Sequence, residues 1–131
     1  MILNEKEVKT CLEFILEPLL KKYDIQIIES TLTIDEIISV DAILNYQDHR
    51  IQLQTSFLID YIQNHFSFTN IKGKIEYLFL QLDIINVLKQ LCTYDNIRIN
   101  DQELFVYYEL PIEKVLIKEH ELQINIKDKP R

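Results

Sequence analysis

A chain of 131 residues, 47% of them apolar, is the size of one domain and can bury a core, which excludes disorder as a general description. Its net charge of −7, from 14 basic and 21 acidic side chains, repels phosphate backbones, so no nucleic-acid partner is expected. A single glycine excludes sites built on glycine-rich loops, such as the phosphate-binding loop, the dinucleotide fingerprint and the nucleophile elbow.

The start, Met1 to Lys6, turns polar at once, so no secretory leader is expected. Residues 4–22 predict a helix. Asn4 is its N-cap, and Glu7 three residues on completes a capping box. Val8, Cys11, Leu12, Ile15, Leu16, Leu19 and Leu20 fall on one stripe. Pro18 should kink or weaken the last turn. Lys21-Lys22, the longest basic cluster, suits the negative end of the helix dipole.

Residues 25–34 have β character. Ile38, Val40, Ala42, Leu44 and Tyr46 then alternate with Ser39, Asp41, Ile43 and Asn45, the period of a half-buried strand. Gln47-Asp48-His49 is a polar turn, and alternation resumes at Ile51, Leu53 and Thr55, so residues 37–55 predict a hairpin. Ser56 is the cap of an expected short helix to about residue 65, with Leu58, Ile59, Ile62 and Phe66 inward. Residues 74–82 predict a strand. A helix is expected over 83–92, capped by Asp83 and striped by Ile84, Ile85, Leu88, Leu91 and Cys92. Residues 96–100 and 103–110 predict a hairpin around Asp101-Gln102. Pro111 suits the first position of a further helix striped by Ile112, Val115 and Leu116, and Leu122–Ile126 closes the chain as a strand.

Residues 58–72 align with 84–98, which predicts an internal α–β–β duplication with units at about 56–82, 83–110 and 111–127. The expected fold is therefore one α+β domain over residues 1–131. It has a mainly antiparallel sheet built from hairpins, an N-terminal helix, and two or three short helices packed on one face. The runs Tyr77-Leu78-Phe79-Leu80 and Phe105-Val106-Tyr107-Tyr108 are apolar or aromatic at every position. Helices can cover only one side of such strands, so the other side must meet more sheet, a partner or a ligand.

Catalytic signals are sparse. His49, His65 and His120 lie in no metal-binding spacing, and no cysteine pair has the spacing of a zinc or thioredoxin-like motif. No metal, cofactor or catalytic residue is assigned. Cys92 with a distant histidine is the one nucleophile pairing worth naming. Cys11 and Cys92 read as buried small hydrophobes. No run of 18 apolar residues predicts a membrane span. The expectation is a non-catalytic cytoplasmic protein that works by association, with itself or a protein partner. Tyr77, Phe79, Phe105, Tyr107 and Tyr108 are the candidate contact residues. The alternative is a carrier of a lipid-like or other apolar ligand, with the same residues lining its cavity.

Overall fold

A computed structural model describes residues 1–91 and 94–127. The order is β1 (Ile2–Asn4), α1 (Glu5–Lys22), β2 (Ile25–Ile34), β3 (Ile38–Tyr46), β4 (His49–Ile62), β5 (His65–Tyr77), β6 (Leu80–Asp83), α2 (Ile84–Leu91), β7 (Ile97–Asn100), β8 (Glu103–Tyr107), β9 (Ile112–Lys118) and β10 (Glu121–Ile126). This is an α+β arrangement dominated by antiparallel sheet. A seven-stranded sheet runs β2-β3-β4-β5-β8-β7, with β6 also paired to β5, and a three-stranded sheet runs β1-β10-β9. Strand β5 divides one edge between two neighbours. Residues 65–68 pair with β8 and residues 74–77 with β6.

Helix α1 starts as its sequence dictates. The Asn4 side chain accepts from the Glu7 amide at 2.8 Å, and the Glu7 carboxylate accepts from the Asn4 amide at 3.1 Å. Pro18 lies within the helix. The predicted stripe buries unevenly: Val8 is buried and Leu12 half-buried, whereas Ile15 and Leu16 stay exposed. Cys11 is an exposed free thiol, which corrects the expectation that it packs inside.

The β3–β4 and β4–β5 hairpins close through the two-residue loops Gln47-Asp48 and Gln63-Asn64. All four residues have positive φ, between 49° and 65°, the backbone that type I′ turns require to match strand twist. Opposite Phe57, β5 carries an extra residue, with Asn70 at φ 50°. That bulge changes which parity of β5 faces the core. Register then assembles one apolar face. Ile38 and Phe57 are paired across β3 and β4, as are Tyr61 and Phe66 across β4 and β5. Phe57 meets Phe68 edge-on at 5.6 Å, and Tyr61 meets Phe66 at 5.0 Å, a favoured geometry for aromatic pairs. Ile34 and Ile38 are the most deeply buried large side chains. Val8 of α1, Ile84 and Ile85 of α2, Val115 of β9 and Leu122 of β10 complete this core. The small sheet lies over the large one, with β9 packed across β4.

Several expectations are corrected. Residues 56–62 continue β4 rather than forming a helix. Both periods fit Phe57-Leu58-Ile59-Asp60-Tyr61-Ile62, and aromatic and β-branched content with a β-turn at Gln63-Asn64 favours strand. Residues 112–118 form β9, not a helix. Val115 and Ile117 point to the core in alternation, and Pro111, which lacks an amide donor, precedes the strand. Residues 74–82 are not one strand, because β5 turns at Leu78-Phe79 into β6. Among the described residues, one short helix, α2, stands where two or three were expected. The leading segments of the expected duplication differ in structure: Leu58–Ile62 lie in β4, whereas the aligned Ile84–Leu88 lie in α2. Cys92 lies outside the described residues.

Candidate association surface

The core-bearing face of the large sheet is finished at one end only. Near Ile34, Ile38, Phe57 and Tyr61 it is covered by α1, α2 and the small sheet. Towards the opposite end, register places Ile27 beside Leu44, Leu44 beside Ile51, Ile51 beside Tyr77 and Tyr77 beside Leu80. Cross-strand partners share a face, so these five residues form an apolar row across five strands. A second row runs Ala42, Leu53, Ile75 and Leu82. Both rows lose cover towards β6: Ile51, Leu53, Ile75 and Tyr77 are half-buried, while Leu80 and Leu82 are exposed.

Helix α1 lies along β2, on the same side as these rows. Its Glu5 carboxylate accepts from the Ile34 amide, and Glu13 accepts from the Ser30 hydroxyl at 2.9 Å. Ile15 shares the helical stripe of Val8 and Leu12, yet stands exposed together with its neighbour Leu16. The β5–β6 hairpin rises at the other side. Its tip, Leu78-Phe79, is 59% and 92% exposed. Leu78 has φ 58°, a left-handed backbone that costs a bulky side chain roughly 1–2 kcal/mol. A depression of about 310 Å³ here is lined by Glu76, Leu78, Phe79, Leu80 and Gln81, all from this hairpin.

The five predicted contact residues do not form one face. Tyr77 and Phe79 belong to the hairpin end. The Tyr77 ring lies 6.2 Å from Tyr46 and 5.9 Å from His49. Phe105, Tyr107 and Tyr108 lie at the far end of β5, about 40 Å of extended strand away. There His65, paired with Tyr107, packs against Phe105 at 5.4 Å and Tyr107 at 5.0 Å, and the Arg98 guanidinium sits 5.8 Å over Tyr107. Phe105 is half-buried among these neighbours, while Tyr107 and Tyr108 remain exposed. Leu78 and Leu80 belong to the apolar run singled out in the sequence but not to the five contact residues, and Leu82 is in neither, although only Gln81 interrupts the apolar run between Leu78 and Leu82. Leu44 and Ile51 carry no such signal, because register alone brings them into one row with Tyr77.

The titratable groups show no hydrolase arrangement among the described residues. His49 faces Tyr77, His65 faces Phe105 and Tyr107, and His120 faces Glu5. Asp35, Glu119 and His120 bring their polar atoms within 4.8 Å of one another. All three are exposed, and the imidazole nitrogens already face Glu5 and Glu119 at 3.3 and 3.7 Å, so ion pairing accounts for the cluster. No helix among the described residues is long and apolar enough to cross a membrane. No family model, curated protein or solved structure matches the chain.

Proposed function

We propose that this protein is a non-catalytic association module whose open sheet end receives an apolar segment of another polypeptide, a second copy of this chain or a protein partner. The carrying observation is the apolar row Ile27–Leu44–Ile51–Tyr77–Leu80, which continues the core face beyond the elements that cover it. Phe79 and Leu80 supply the anchor at its rim, since a large aromatic side chain on an interface dominates binding more than contact area does. The exposed thiol of Cys11 suits the reducing cytoplasm.

Sedimentation over a range of concentrations, with native mass spectrometry, tests this reading. Wild-type protein should self-associate or hold a partner chain. Phe79→Asp and Leu80→Asp should each weaken that complex by about tenfold or more while leaving a folded monomer by circular dichroism. Association unaffected by both substitutions would overturn the reading. A monomer carrying apolar small-molecule mass would replace it with a hydrophobic-ligand carrier.

A further inference from the structure

We propose that the junction of Glu5, Asp35, Glu119 and His120 is a proton-operated latch that holds the three-stranded sheet and the start of α1 on the end of β2. Three elements meet there: Glu5 is the first residue of α1, Asp35 lies in the β2–β3 turn, and Glu119-His120 form the β9–β10 turn. They converge on the backbone of Ile34, the most buried of the described residues. The Ile34 amide donates to Glu5 Oε2 at 2.6 Å, and the His120 amide donates to the Ile34 carbonyl at 2.7 Å. Glu5 Oε2 also lies 3.3 Å from His120 Nδ1. Both polar groups of Ile34 are thus held from outside its sheet.

The imidazole, a cation once protonated, lies among three carboxylates. Glu5 faces Nδ1, Glu119 faces Nε2 at 3.7 Å, and Asp35 closes the group. Lys118 and Glu121 flank the turn as a cross-strand pair. With a proton on His120, Nδ1 donates to Glu5 and the ring charge offsets the surrounding carboxylates, Glu119 among them. Without it, three carboxylates face one another around a neutral ring, and the turn loses its attraction to Glu5 and Asp35. The Glu5 hydrogen bond holds the His120 pKa above the ordinary histidine range, with Glu5, Glu119 and Asp35 charge adding to it. A group with a raised folded-state pKa stabilises the docked state fully below its free value, near 6.5. That contribution is lost as pH rises through the raised value.

Site-resolved amide exchange on the full chain, from pH 5.5 to 8.5 and corrected for intrinsic rates, tests the latch. Protection at the Ile34 and His120 amides should fall severalfold across the His120 midpoint, read from its ring resonances in the same samples. Amides of the β3–β4 hairpin should keep theirs. His120→Asn, which tolerates the left-handed backbone at this position (φ 63°), should give pH-independent protection at the low level. Flat protection in the wild type, or an unchanged pH response in His120→Asn, would overturn the proposal.

Discussion

The Tyr61 hydroxyl and the Leu110 amide form a hydrogen bond of 2.8 Å at the crossing from the large sheet to the small one. The same hydroxyl donates to the Tyr108 carbonyl at 2.6 Å. One buried side chain thereby satisfies two backbone groups of a connection that belongs to neither sheet. Tyr61→Phe keeps the ring against Phe66 and removes both bonds. It should destabilise the protein by about 1–3 kcal/mol, the cost of leaving buried polar groups unpaired, read as a lower denaturation midpoint with unchanged slope.

Gly73 has φ +154°, and a Cβ at that position would lie 2.2 Å from the Gln54 carbonyl oxygen and 2.7 Å from Thr55 Cα. Both are backbone atoms of β4, which cannot swing aside like a side chain. Gly73→Ala should therefore cost about 2 kcal/mol or more and shift the local β4–β5 pairing. Thermal unfolding and the amide shifts of Gln54 to Ser56 would show both effects.

At the hairpin tip, Leu78 combines a left-handed backbone with high exposure. Leu78→Gly relieves that strain at some cost in unfolded-chain entropy, for a net gain of up to about 1 kcal/mol. The same substitution should weaken association through the hairpin. Higher stability with unchanged self-association or partner retention would place the contact elsewhere.

Glu5 behaves oppositely to His120. The Ile34 amide, and then His120, hold its pKa below the ordinary carboxylate value. A depressed folded-state pKa contributes stability that is present above the unfolded value and lost as pH falls through the folded one. Glu5→Gln, which still offers Ile34 an acceptor, should lose less stability than wild type on acidification through that range. Parallel urea melts of the two proteins from pH 6 downward measure the difference.

The parts of the fold legible in the sequence are those with one dominant local signal. Asn4 and Glu7 announce α1, and strict alternation from Ile38 to Tyr46 announces β3. Residues 56–62 and 112–118 read as helix in the sequence because their apolar residues satisfy helical as well as extended spacing. The proposed contact surface is half legible. Tyr77 and Phe79 stood out by aromatic density, but Phe105 and Tyr107 share that density and lie at the other end of β5. Which strands are neighbours, and which residues stand opposite, depends on pairings between segments far apart in the chain, and no local pattern encodes those.

The small sheet pairs Leu3 with Leu122, near opposite ends of the described chain, whereas β4 and β5 are joined by a two-residue turn. Closing a loop costs more entropy as it lengthens, and contacts between distant segments are repaid only after that closure. Loop-closure entropy thus favours pairing of the β3–β4–β5 meander before docking of β1 onto β10. Val115 and Leu122, which help cover the Ile34–Ile38 corner, can reach it only once β9 and β10 have been made.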